Sequence, residues 1–306
     1  MSLKHKEEIT IWAFKDGKKG HEKQIDALIT EFSSIKNVNL FEFSTWKIHE
    51  SRPDLIIGAG NSTHKHILTA KKEHPSAKSI VLMKPSLRPT QWFDFAVVPD
   101  IDRFYLHKPK NVISTKGVLS KYSNEQTIPN TGLIVIGGKS RHYHFRKKVV
   151  NQQIEHLLNE EFKDYHWKIT TSPRSPNLDL PKHSGNAEFY SWQNTSENWM
   201  SDEISKSEIT FLTPESVSVL YEGLSTNTKV YVFHHEQHIG GQYGEKRKTK
   251  VTRNIDRLKK EGLIGYIDSS RYFFSRTVKD VDIIHPKKNK PLSESRRVVQ
   301  ELLEKL

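Results

Sequence analysis

Short apolar runs rich in β-branched and aromatic residues alternate with amphipathic stretches along nearly the whole chain, and this alternation limits the fold more than any other feature. Residues 9–14, 38–43, 55–57, 79–83 and 95–98 have the length and composition of strands. Residues 21–32 and 63–72, lying between them, have helical spacing. Strand–helix–strand alternation implies βαβ units and a parallel sheet covered on both faces. After a polar stretch at 120–130 the pattern restarts. Strands are expected at 133–137, 167–171, 188–192, 209–212 and 229–233, with helices at 145–158 and 249–261. Two α/β lobes joined near residue 125 are the simplest account, and 306 residues suffice for two separate cores. In the last segment Val298, Val299, Leu302, Leu303 and Leu306 form one apolar helical stripe, which must dock on something. The expected division is 1–125, 126–290, and a terminal helix at 291–306 that crosses back to the first lobe.

Lys and Arg total 48 against 36 Asp and Glu, a net charge of +12, with 16 His besides. An excess of that size is a statement about partners: nucleic acid, an anionic membrane face or a phosphorylated acceptor. The basic residues are not interleaved with stacking aromatics, which argues against nucleic acid. The chain has no cysteine, so disulfides, thiolate metal sites and cysteine nucleophiles are excluded. No apolar run approaches the roughly 20 residues of a membrane span. The first residues lack the apolar stretch and cleavage site of a signal peptide. A cytoplasmic location is expected, with peripheral contact at an inner membrane as its natural extension.

Three segments carry chemistry. The first expected strand runs into Asp16-Gly17-Lys18-Lys19-Gly20-His21-Glu22. Its glycines allow a tight turn, and a carboxylate or imidazole at the C-terminal edge of a sheet can deprotonate a hydroxyl. Asp16 and His21 are therefore the general-base candidates; an ordinary capped turn is the competing reading. In the second lobe Gly137-Gly138-Lys139-Ser140-Arg141-His142 follows a strand. Paired glycines there can expose backbone N–H groups, while Lys139, Ser140 and His142 reach phosphate oxygens. The segment is neither a Walker loop nor a dinucleotide fingerprint. Third, Thr213-Pro214-Glu215-Ser216-Val217-Ser218 reads as a polar turn opening a helix. Ser216 or Ser218 can cap it, its N-terminus favours an anion, and Glu222 can accept both hydroxyls of a ribose. A solvated Glu222 is the competing reading. Asp100-Ile101-Asp102 has the spacing of a metal-binding pair but follows a first-lobe strand and reads as structural. His64 and His66 fall on different helical faces and read as surface residues. No metal and no cofactor is expected.

In order along the chain, seven motifs resemble the "elongated mitochondria" fission-protein family. They include DGKKGHEKQ at 16–24, PDLIIGAGNSTH at 53–64, LMKPSL at 82–87, FDFAVVPDID at 93–102, IGGKSRHY at 136–143 and TTSPRSP at 170–176, followed by the segment from Ser216 to Phe233. Two departures stand out: Glu215 occupies a position where the family commonly has Asp, and Gly223 one where Ala is usual. The resemblance implies a two-lobed α/β protein of the GT-B glycosyltransferase type, two Rossmann-like lobes facing across a cleft. It implies that the nucleotide-sugar donor binds mainly in the second lobe, where Gly137, Gly138, Ser140, Ser216, Ser218 and Glu222 lie. Plant relatives are associated with mitochondrial fission, and some bacterial relatives with the outer core of lipooligosaccharide.

The resulting expectation is a metal-independent transfer of sugar from a nucleotide-sugar to an anionic, lipid-linked glycan acceptor. Arg174 or Lys246 would offset leaving-group charge in place of a divalent ion. The alternative is a non-catalytic adaptor of the same fold acting at a membrane surface.

Overall fold

A computed structural model describes residues 3–102, 107–178, 183–238, 248–268, 282–287 and 290–306. The chain divides into two compact units, one formed by Met1–Tyr122 with Ser293–Leu306, the other by Ser123–Leu292.

In the first unit β1 (Glu8–Phe14), β2 (Asn37–Phe43), β3 (Leu55–Ala59), β4 (Lys78–Leu82), β5 (Phe95–Pro99) and β6 (Val112–Thr115) form one sheet. Their order is β2-β1-β3-β4-β5-β6, and every pairing is parallel. Parallel neighbours need crossovers, and two of these are α1 (Lys19–Ser33) and α2 (His64–Glu73). Alternation along β1 serves both faces of the sheet. Ile9, Ile11 and Ala13 join a core with Ile25, Leu28 and Phe32 of α1, while Trp12 and Phe14 join another with Ile67 and Ala70 of α2.

The second unit holds β7 (Ile128–Ile136), α3 (Lys147–His156), β8 (His166–Thr171), β9 (His183–Ser184), β10 (Ala187–Tyr190), α4 (Trp199–Lys206), β11 (Ser207–Leu212), α5 (Val217–Leu224), β12 (Lys229–Val232), α6 (Lys250–Lys260), β13 (Gly265–Ile267) and β14 (Ile283–Ile284). The sheet order is β14-β13-β12-β11-β7-β8-β10-β9, parallel except at its two outermost pairs. Val150, Ile154 and Leu157 cover one face of it, packing on Ile134, Phe211, Tyr231 and Phe233.

The last helix, α7 (Glu294–Lys305), belongs to the first unit, where Val298, Val299 and Leu302 are buried with the residues of α1. Polar contacts complete the seam. Arg296 pairs with Glu31 at 3.3 Å, and Arg297 donates to the Ser114 carbonyl at 2.6 Å.

Both units are therefore Rossmann-like, as the strand–helix alternation predicts. In β6, β13 and α4 the chain forms elements that its apolar pattern does not announce, because each is short. No helix among the described residues is long and apolar enough to cross a membrane.

Candidate functional site

In each sheet one strand is the point from which the chain winds in both directions. Such switch points leave a crevice at the C-terminal strand ends, where open α/β folds bind ligands. In the first unit the switch lies between β1 and β3; in the second it lies between β7 and β11.

At the first switch, the turn after β1 meets the turn after β3. Asp16 is almost wholly enclosed, with a side chain 3% exposed. It lies 2.9 Å from Nδ1 of His21 and accepts from the hydroxyl of Ser62 at 3.1 Å and the Lys18 amide at 3.2 Å. Burial pushes the Asp16 carboxyl up, but the His21 hydrogen bond, the Lys18 amide, the His21 charge and Ser62 together outweigh it and hold it below the ordinary range. An ionised carboxylate only accepts, so Nδ1 carries the hydrogen, and a neutral His21 then has its lone pair on Nε2. Gly60 makes this approach possible. Its φ is +86°, and a Cβ there would sit 2.5 Å from His21 Nδ1 and 2.8 Å from Asp16 Oδ2. Glu22 is turned away from this pair and accepts from the Gly17 amide at 3.0 Å.

At the second switch, the glycine turn after β7 faces the turn after β11. The Gly137 amide donates to the Thr213 hydroxyl at 2.7 Å, and the Gly138 amide to Glu215 Oε1 at 2.8 Å. Thr213 donates to the same carboxylate oxygen at 2.9 Å. This corrects the expectation that the paired glycines leave their N–H groups open for phosphate. What the glycines provide is closeness: a Cβ on Gly137 would lie 1.8 Å from Glu215 Oε1, and one on Gly138 1.9 Å from the Arg174 carbonyl oxygen. Burial pushes the Glu215 carboxyl up, only partly opposed by the amides, Thr213 and the Arg174 charge. Its other oxygen is buried without a hydrogen-bond partner.

The remaining candidates separate into two groups. Ser216 stands at the N-cap of α5 beside Gly137, within 2.9 Å of where a Cβ there would be, and makes no capping bond with its side chain. Ser218 is exposed in the first turn, and Glu222, four residues on along the same face, is half-buried and accepts from the Ser201 hydroxyl. Arg174 is exposed and close enough for its charge to reach Glu215. These four gather around the glycine turn and α5. By contrast, Ser140 closes its own turn, accepting from the amides of His142 at 3.1 Å and Tyr143 at 3.2 Å. His142 Nδ1 is held at 3.0 Å by Thr249, the N-cap of α6. Burial, followed by the charges of Arg141, Lys250 and His238, pushes the His142 imidazole down, which disfavours its cationic form. Lys139 is exposed. Lys246 lies outside the described residues. Asp100 and Asp102 form a short turn after β5. Among the described residues no group of three or more His, Asp or Glu side chains is placed to hold a metal.

The sequence reading missed two residues. Ser62 stands in the turn after β3, inside the 53–64 motif, and it is the third member of the Asp16–His21 cluster. Glu215 organises the second switch. A carboxylate three residues beyond a strand end, facing a glycine pair, is the signal that could have found it. His64 is a correction of another kind. It is buried, 1% exposed, edge-on to Phe93 at 5.3 Å, and not a surface residue.

The profile of the mitochondrial fission ELM1 family matches residues 9–306. The chain belongs to that family. No curated protein matches this ELM1-family chain in sequence. Among solved structures it is similar to Phytolacca americana UGT2 complexed with UDP-2fluoro-glucose and pterostilbene, at 8% identity over 97% of this chain and 90% of that one, with a TM-score of 0.49. A UDP-glucosyltransferase from Polygonum tinctorium shares 9% identity over 98% and 99%, with a TM-score of 0.48. The UDP-GlcNAc 2-epimerase of Methanocaldococcus jannaschii shares 9% over 97% and 99%, with a TM-score of 0.43.

Proposed function

We propose that this ELM1-family chain is a glycosyltransferase that takes a nucleotide-sugar donor in its second unit and activates an acceptor hydroxyl with His21 of its first. The observation that carries the reading is the grouping at the second switch point, where Gly137, Ser216 and the helix bearing Ser218 and Glu222 lie around one strand edge. The start of α5 would receive the diphosphate, with Ser216 and Ser218 donating. Glu222 would accept from the ribose hydroxyls, and Arg174 would balance the charge that develops on the leaving diphosphate. In the first unit Asp16 would hold the His21 ring so that Nε2 takes the acceptor proton. The net charge of +12 suits an anionic acceptor such as a phosphorylated, lipid-linked lipooligosaccharide core, since each Lys or Arg near an anionic surface adds about 1 kcal/mol.

Thermal shifts with UDP, GDP, CMP, ADP and dTDP test the donor site. At a hundred times its dissociation constant the right nucleotide adds about 2.7 kcal/mol, and Glu222→Ala removes that shift while lowering the apo melting temperature only by the loss of its Ser201 hydrogen bond. No shift with any of the five overturns the donor site and favours the adaptor. Asp16→Asn tests the base: turnover is expected to fall about a hundredfold or more with nucleotide affinity kept, and an unchanged kcat overturns the role given to the pair.

A further inference from the structure

Among the described residues each sheet has two outer edges, and three of the four are blunted. The eight-stranded sheet ends in two-residue strands, β9 and β14. On the far side of the six-stranded sheet β6 has only four residues, and Arg297 of α7 caps its Ser114 carbonyl at 2.6 Å. The fourth edge is β2. It is seven residues long, has no proline, lysine or arginine, and carries no bulge, since its register on β1 runs unbroken from Asn37 opposite Glu8 to Phe43 opposite Phe14. An edge strand without these guards is a template for another strand.

The hydrogen bonds identify the open groups. In a parallel ladder alternate residues turn both N–H and C=O to one neighbour. The Asn37 amide donates to the Glu7 carbonyl at 2.9 Å, and the Phe43 carbonyl accepts from the Lys15 amide at 2.9 Å. Asn37, Asn39, Phe41 and Phe43 therefore face β1. The N–H and C=O groups of Val38, Leu40 and Glu42 point outwards, and no described residue bonds to them. Apolar side chains accompany this edge. Leu40 is 39% exposed, Ile35 precedes the strand and is exposed, and so is Ile48, next to the His49 ring that packs on Phe41 at 4.5 Å.

A second copy of the same strand fits these features. Laid antiparallel about a two-fold axis at Leu40, Val38 meets the partner's Glu42 and Leu40 meets the partner's Leu40. Each such pair exchanges both of its bonds, which leaves none of the open groups unmatched. Charge favours the same arrangement. Glu42 is the strand's one charged residue, 45% exposed although Lys15 pairs with it, and Lys36 stands just before the strand. Antiparallel pairing brings the partner's Lys36 towards Glu42, whereas a parallel copy in register would set two Glu42 carboxylates side by side.

We propose that β2 is a dimerisation edge, on which a second copy of this chain adds its own β2 antiparallel about Leu40 and joins the two six-stranded sheets into one. The pairing is independent of the activity proposed above.

Sedimentation velocity of the full chain across a concentration series tests it. A dimer with a dissociation constant on the order of 10 µM is expected, because one strand pair buries less than the interfaces of tight complexes. Leu40→Lys, at an exposed position, sets like charges directly across the axis and is expected to weaken the dimer about tenfold or more. The absence of cysteine gives a second readout. A short bis-maleimide should join two Leu40→Cys chains, whose α-carbons would lie about 5.5 Å apart. It should not join two Ile35→Cys chains, which the antiparallel register holds roughly 30 Å apart. A chain that stays monomeric throughout the series overturns the proposal. So does a dimer that Leu40→Lys leaves unchanged, or one in which Ile35→Cys chains link and Leu40→Cys chains do not.

Discussion

Gly138→Ala is expected to lower the stability of the second unit by about 4 kcal/mol or more, among the largest effects a single methyl group can have. The added carbon would lie 1.9 Å from the Arg174 carbonyl oxygen and 2.3 Å from its carbon. Both are backbone atoms, and they cannot swing aside as a side-chain end would. The 172–175 turn is also stitched to the end of β7, since Ser175 donates to the Ile136 carbonyl at 2.7 Å. Relief therefore requires a strand end or a turn to move. For a unit of this size the melting temperature should drop by about 8–16 °C. Gly17→Ala is the matched control. Its φ is +77° but nothing lies within 4 Å of the new carbon, so only the left-handed penalty of about 1–2 kcal/mol applies. A Gly138→Ala loss no larger than that of Gly17→Ala would falsify the steric account.

Acid is expected to weaken both units well above the pH at which carboxylates titrate. His64 in the first unit and His235 in the second are each pushed down to about 4, in both cases mainly by burial, with Arg88 adding to it at His64 and His234 at His235. The unfolded chain takes up these protons near the ordinary value of about 6.5, so below that pH it binds more protons than the folded chain. Stability is therefore full above about 6.5 and is lost as pH falls towards 4. At pH 5 each histidine costs on the order of 2 kcal/mol, against a typical total of 5–15 kcal/mol. Urea midpoints measured from pH 7.5 to 5 should fall steadily. His64→Phe, which retains an aromatic ring beside Phe93, should flatten the first unit's share. A midpoint that stays level across this range would show that neither ring is kept neutral by folding.

How far the sequence foretells this molecule depends on what each signal reports. Strand β1 is legible because Ile9 to Phe14 are apolar on both faces, and a central parallel strand demands that. The α7 stripe is legible for a similar reason, and Leu302 is 0% exposed. At the sites, residue type was easier to read than direction. Asp16 and His21 were recognisable as a base pair, but their partner Ser62 comes from 46 residues away and only the β1–β3 pairing brings it there. The glycine pair has the sequence of an opening for a ligand, whereas its amides are spent on Thr213 and Glu215. Spacing cannot distinguish a glycine that admits a ligand from one that admits a neighbouring carboxylate. His64 escaped for want of context: in the Thr63-His64-Lys65-His66 run, the buried face of α2 is chosen by the sheet beneath it and not by the run itself.

Because α7 completes the core of the first unit, that unit is discontinuous in the gene product. During synthesis its first 122 residues leave the ribosome with the apolar side of α1 uncovered, and about 170 residues of the second unit must follow before Ser293–Leu306 arrives. At about 5–20 residues per second the wait is on the order of ten to thirty seconds. The second unit can close as a contiguous guest while its host is still open. A nascent first unit is thus a substrate for chaperones throughout that interval, and a stop codon ahead of residue 293 costs the cell the unit that was made first.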